Sequence, residues 1–499
     1  MKKKLIFPAT VISAVTMFMV CFVSCASAPQ RYDALLGEPV EFRSLNFSKD
    51  GAVKDLSVEQ LEEDVDMLEY LFKTSYVLYD RMSADRVFDF DKSFDSLRKE
   101  CRASGGMKYG VFQKAIRAHL TEIPDYHISL VRSDGVFEPV VNRRSLYATG
   151  IIVHRESDGS LVSRSSLGSV VKQGMKVRVP QENLFKTYSA EGDTYLVGVF
   201  SYDSPQKMQI QVEVTDGLFE TKEIAVSCWN AITWNNTFSV DDGEQFLYRI
   251  DSFSFDSDER KQKLEQFASS GTSVHGKKML VIDLRNNWGG DLLYQLCFLS
   301  GLTSNVIYTP EKKEECVSYA GGFGTQLLSP AILQSMLFMS EKEEPMNKHV
   351  LKNAVAYSKE KPLKYYLNQP FISPDSIKMP ATCPDFDGTL ILLINGNSCS
   401  ASDWFYRQVK PYAKTIVVGS NSCGAVSSGD PYPYQLPNSK ITVNIPSMAS
   451  CWVRDDDFVY DLNDGLIPDY WVASDAMLYD TLRSLGVSER IISALETGK

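Results

Sequence analysis

The chain has 499 residues, 44% of them hydrophobic and 23% charged, with ten cysteines and a formal net charge of −11. That balance is ordinary for a folded globular protein and excludes disorder or low complexity over most of its length. The acidic surplus argues against nucleic acid or anionic lipid surfaces as partners. The length itself predicts roughly two to four domains.

The first element is an export signal. Lys2-Lys3-Lys4 precedes an apolar run from Leu5 to Val23, the pattern of a secretory leader. Phe22-Val23-Ser24-Cys25 reads as a lipoprotein cleavage box, with 1–24 as signal peptide and Cys25 as the lipidated residue. Ordinary cleavage after Ala28 is the alternative, and Pro29 would hinder it. An uncleaved anchor is a third reading, because the run is nearly long enough to span a bilayer. All three put the body of the protein outside the cytoplasm, and the lipoprotein reading anchors it in a bacterial cell envelope. No later segment is apolar enough to cross a membrane. Eight cysteines follow Cys25 with no CxxC spacing, so no zinc site is expected. Cys399 and Cys423 read as small buried residues in preference to a disulfide pair.

Residues 30–127 form a helical unit. Ser57-Val58-Glu59-Gln60 has the shape of a capping box, and Leu61, Val65, Leu68, Leu71 and Phe72 recur at helical spacing. Further helix is expected over 94–101 and 109–120. Residues 128–243 change to short alternating runs such as Met208-Gln209-Ile210-Gln211-Val212, divided by turn residues, and read as a small β-rich module. From 244 to 499 strands and helices alternate, which implies an α/β domain with a mostly parallel sheet. An insertion at about 310–380 is rich in charged and aromatic residues, among them Tyr319, Phe323, Tyr357, Tyr365 and Tyr366. It reads equally as a substrate groove or as a surface subdomain packed on itself.

Two strand ends in the last region carry the chemistry. Met279-Leu280-Val281-Ile282 runs into Leu284-Arg285-Asn286-Asn287-Trp288-Gly289-Gly290, and Leu390 to Ile394 runs toward Ser398-Cys399-Ser400-Ala401-Ser402-Asp403. Loops at strand C-termini are where open α/β sheets place their sites. A Gly-Gly turn can aim N–H groups at an oxyanion, and a serine on a strand-to-helix turn is presented as a nucleophile. The pair suggests a serine hydrolase.

These residues resemble the superfamily of C-terminal processing (tail-specific) proteases and the tricorn core protease. Asp283 to Gly290 is similar to that family's DLRNNPGG, with Trp288 where proline is usual. Ser400-Ala401-Ser402-Asp403 is similar to its SASE. Tyr248 to Phe253, Leu436 to Ser439 and Gly465 to Asp469 match further landmarks in order. The resemblance covers 244–475 and, more weakly, extends back to about 57. It implies a crotonase/Clp-protease-like catalytic domain, with a degenerate PDZ-like module as one reading of the β-rich segment. It implies Ser400 as nucleophile, with the backbone N–H groups of Gly289, Gly290 and Ala401 as oxyanion hole and Asp283 and Arg285 as braces of the loop. No metal or organic cofactor is needed.

The base differs from the bacterial processing enzymes. Their lysine position, in Gly419 to Ala425, holds Ala425. The tricorn-like branch uses an upstream histidine, and Asp125-Tyr126-His127 fits its pattern. A serine hydroxyl needs such a base within hydrogen-bond reach, and His127 is the candidate among five histidines. Leu462 stands where a glutamate would orient the base, so Tyr126, Asp461 and Asp464 are the candidate orienting groups. The expected protein is an exported, lipid-anchored serine endopeptidase acting on peptides. The alternatives are a catalytically inactive peptide-binding lipoprotein of the same fold and a serine esterase.

Overall fold

The computed structural model describes residues 37–47, 55–131, 137–190, 192–302, 322–340, 345–370, 386–410, 413–452 and 464–498. The expected signal peptide, Cys25, Tyr319, Asp461 and Leu462 lie outside them. Among the described residues, no helix is long and apolar enough to cross a membrane. The chain forms two compact units, each discontinuous in sequence.

The first unit gathers 1–142, 310–373 and 425–461. Its longest helix, Val58–Ser75, begins where the sequence places it. Ser57 is the N-cap, its hydroxyl accepts from the Gln60 N–H, and the Gln60 side chain accepts in return. Helices Phe90–Ser104 and Tyr109–Leu120 follow. Leu61, Val65, Leu68, Phe72, Phe94 and Phe112 are fully buried in one core. That core also holds Leu327, Ile332 and Met336 from the insertion and Tyr432, Tyr434 and Val443 from the C-terminal region. The insertion therefore does not pack on itself alone. Its strands Gly322–Leu328 and Leu363–Pro370 pair with each other, and the first also pairs with Thr442–Trp452. Thr442–Trp452 in turn pairs with Ser129–Val131. Asp64 sits fully buried on the longest helix and accepts the backbone N–H groups of Asn438 and Ser439 at 2.7 and 2.8 Å.

The second unit holds 143–309, 374–424 and 462–499. Its antiparallel sheet runs from Ser145–Arg155 to Ser227–Cys228 and has a separate core of Ile151, Val153, Val197, Ile210 and Val212. Its second sheet has strand order Phe238–Asp241, Gln245–Arg249, Met279–Asp283, Thr389–Ile394, Lys414–Gly419, Tyr470–Trp471. Every pairing from Gln245–Arg249 onward is parallel. Leu280 to Ile282 and Leu390 to Leu393 are fully buried, as expected for strands covered on both faces. Asp283 pairs with Leu393 in register, so the two candidate loops leave the sheet side by side. Asp469 accepts the Val417 N–H at 2.9 Å.

An ion cluster fixes the first of these loops. Arg285 donates to both oxygens of Asp283 at 2.8 and 2.9 Å, and Arg249 lies 3.6 Å from the same carboxylate. All three side chains are at most 1% exposed. Burial pushes the Asp283 carboxyl up, but attraction to Arg285 and then Arg249 outweighs it and holds the group below the ordinary carboxylate value. Removing one partner strands buried charge, so Asp283→Asn is expected to cost about 3–5 kcal/mol in urea unfolding at pH 7. Because the folded-state value is depressed, this stabilisation is present above the usual carboxylate range. It is lost as pH falls through the folded value. The gap between wild type and variant should therefore narrow in acid.

Candidate active site

Ser400 stands between strand Thr389–Ile394 and helix Ala401–Val409. Its backbone has φ 56 and ψ −113, a conformation a non-glycine residue rarely adopts. Such strain persists where the surroundings over-determine it, and here they do. The Ser400 N–H donates to Asp403 Oδ2 at 3.0 Å, and Asp403 is 1% exposed. The Cys399 N–H donates to the Asn287 carbonyl at 2.9 Å, and the Ser402 hydroxyl donates to the same oxygen at 2.9 Å. The Ser398 hydroxyl donates to the Leu284 carbonyl at 2.8 Å. The two loops are stitched together by these bonds. The Ser398 and Ser402 hydroxyls thereby hold the loops together.

A second tie corrects an expectation. Cys399 and Cys423 form a disulfide, with Cα atoms 5.1 Å apart. The Cys423 N–H donates to the Ser398 carbonyl at 3.0 Å, so the parallel strands carry both backbones to one point. Spacing alone could not show this, since 24 residues separate the pair. Closing a loop of that length stabilises a fold by about 3 kcal/mol. The sulfurs and an Asp403 oxygen lie within 4.8 Å of one another. A metal takes thiolates, and these sulfurs are bonded to each other.

Gly289 touches the serine loop directly. A Cβ built on it would lie 2.7 Å from both the Cys399 carbonyl oxygen and Ser400 Cβ, and 2.9 Å from the Ala401 nitrogen. Its φ of 93 and that of Gly290, 134, both demand glycine. The Gly289 N–H, however, donates to Asn287 Oδ1 at 2.8 Å. Of the three expected oxyanion donors, this one is engaged inside its own loop.

His127 belongs to the first unit. Its Nδ1 lies 3.2 Å from the Ser428 hydroxyl and 3.8 Å from Asp125 Oδ1. Ser428 donates to Asp125 Oδ1 at 2.7 Å, and Tyr76 donates to Asp125 Oδ2 at 2.9 Å. The His127 N–H also donates to Asp125 Oδ1, at 3.0 Å. Ser428 has one proton, and the fully buried carboxylate claims it. Nδ1–H must then be the donor to Ser428, which leaves Nε2 as the lone-pair nitrogen. That is the tautomer a general base requires. Tyr126 is half-buried beside this group. Asp464 instead forms an ion pair with Arg144, in the second unit. Asp125 and Ser428 were not singled out as orienting groups in the sequence. Asp125 was visible only as a letter in a motif, and Ser428 lies 301 residues from His127. Of the other described histidines, His119 meets Glu100 at 2.8 Å, and His349 meets Asn353 at 3.2 Å.

Residues 247–451 match the sequence model of peptidase family S41. The chain carries an S41 peptidase segment over less than half of its length. By family, it is a serine-type peptidase, and the S41 segment spans both strand-end loops. No curated protein matches the chain. Among solved structures, mature CPAF complexed with lactacystin is 15% identical, covering 89% of this chain and 99% of its own, with a TM-score of 0.42. The photosystem II D1 C-terminal processing protease is 13% identical over 83% of this chain and 92% of its own, at 0.31. The tricorn protease is 13% identical over 88% of this chain and 36% of its own, at 0.37. At such scores these likenesses bear no weight for site or substrate.

Proposed function

We propose that this S41 chain is an exported endopeptidase in which Ser400 attacks a peptide carbonyl and His127 takes its proton. The observation that carries the reading is Ser400 itself, held at a positive φ on a strand-to-helix turn against Gly289. The Gly290 and Ala401 N–H groups would receive the tetrahedral oxyanion, since the Gly289 N–H is turned onto Asn287. His127 then hands the proton to the leaving amine, and water attacks the acyl-enzyme by the same route. Asp125, acting through Ser428, is the positioning group for the base, in place of Tyr126, Asp461 or Asp464. The crotonase-like description of the parallel sheet, a PDZ-like origin for the antiparallel one and lipid attachment at Cys25 belong to the same proposal.

A fluorophosphonate probe tests the central claim, because it bonds only to an activated serine. Labelling is expected at Ser400, mapped by peptide mass spectrometry, and absence of label on the folded protein would overturn the reading in favour of a non-catalytic binding protein. The positioning role has a separate signature. Asp125→Asn is expected to lower kcat by about 10³–10⁴-fold and to change the pH–rate profile. Asp464→Asn should keep both.

A further inference from the structure

Trp288 is the one large side chain of the oxyanion-side loop that faces solvent. Its side chain is 55% exposed, whereas Arg285 and Asn287 are 0% exposed. The backbone on either side is held. The Asn287 carbonyl accepts from Cys399 and Ser402, and its side-chain amide donates to the Ile250 carbonyl at 3.0 Å. The Gly289 carbonyl accepts from the Phe253 N–H at 2.9 Å. The indole therefore projects from a rigid bracket. Its Cα is one residue, about 3.8 Å, from that of Gly289, and a Cβ on Gly289 would reach Ser400 Cβ at 2.7 Å. A large, flat and mostly apolar side chain thus starts one residue from the glycine that touches the candidate nucleophile.

We infer that Trp288 is a specificity-determining residue: its indole stacks on an apolar or aromatic side chain of the substrate next to the scissile bond. The inference rests on Ser400 being the reacting serine. Aromatic side chains prefer offset or edge-on contact with such a ring, and one contact of this kind is worth up to about tenfold in affinity. Covering the exposed indole adds apolar burial to that. Because the bracket is fixed in advance, little ordering opposes the contact.

The test uses the full chain and a tryptic peptide mixture, with cleavage sites read by mass spectrometry. The wild type should cut preferentially beside Phe, Tyr, Leu or Met at one fixed position. Trp288→Ala should lose about tenfold or more in that preference while still cutting glycine-flanked bonds, and Trp288→Phe should restore most of it. An unchanged preference in Trp288→Ala, or an equal loss on every bond, overturns the proposal. A second arm does not need catalysis. In Ser400→Ala, indole emission should shift on adding acetyl-Ala-Ala-Phe-Ala-Ala-amide and not with the Gly analogue, and Trp288→Phe should abolish the shift. Equal responses to both peptides overturn the role of Trp288. No cleavage by the wild type together with an intact shift would overturn the peptidase reading and, with it, the specificity role, leaving Trp288 as a contact for apolar peptides.

Discussion

Ser400→Ala and His127→Ala are each expected to lower kcat by about a million-fold, and the double variant to lose no more than either alone. Residues that act as one unit in a proton transfer show this non-additivity, because neither does anything without the other. A nucleophile without its base is a neutral hydroxyl, and a base without its nucleophile has no proton to take. Some acceleration over water should survive in both, supplied by the oxyanion donors and by substrate binding. His127 meets Ser428 and lies near Asp125, which Tyr76 also bonds, so its removal should be checked by thermal unfolding as well as by rate. The measurement is a peptide-cleavage assay on the three variants, purified and shown to be folded. If the losses multiply, the two residues act independently and the pairing is wrong. If His127→Ala keeps full rate, the base lies elsewhere.

Gly289→Ala is expected to lower kcat/KM by at least about a thousand-fold, for a reason that needs no change in any reacting group. The added methyl would sit at 2.7 Å from Ser400 Cβ and from the Cys399 carbonyl, and at 2.9 Å from the Ala401 nitrogen. The two loops are tied together, since the Asn287 carbonyl is already bonded to Cys399 and Ser402, so relieving the clash displaces the serine. The φ of 93 adds backbone strain. Misplacing one oxyanion donor alone costs about a hundred- to a thousand-fold, and here the serine moves too. Gly243→Ala is the control. It has a similar φ of 96, but a Cβ there meets nothing within 4 Å, so it pays strain without the clash and should keep its rate. Retention of a tenth or more of wild-type activity by Gly289→Ala would mean that the loop is not part of the reacting centre.

Secondary structure in the α/β region was legible because its signals are local. Leu280 to Ile282 and Leu390 to Ile394 are continuous apolar runs, and they form neighbouring buried strands. Ser57 and Gln60 announced their capping box by spacing alone. The brace between Asp283 and Arg285 is two residues apart in sequence. What failed to show was whatever depends on residues far apart. The insertion read equally as a groove or as a self-packed subdomain, yet strand Gly322–Leu328 lies in the same sheet as Ser129–Val131, and Ile332 and Met336 share a core with the N-terminal helices and with Tyr432 and Val443.

The sequence by itself determined the reaction class: a serine after one buried strand, a Gly-Gly turn after another, and no lysine in the loop that would have supplied a base. Hydrophobic runs and turn glycines are short-range consequences of composition, and they survive being read one at a time. Only the tertiary structure decided what surrounds those residues. It joined Cys399 to Cys423, turned the Gly289 N–H onto Asn287, and set Asp125 and Ser428 on His127. These contacts span from two to about three hundred residues and depend on angles of approach, which parallel strand pairing and buried charge fix after the chain has folded.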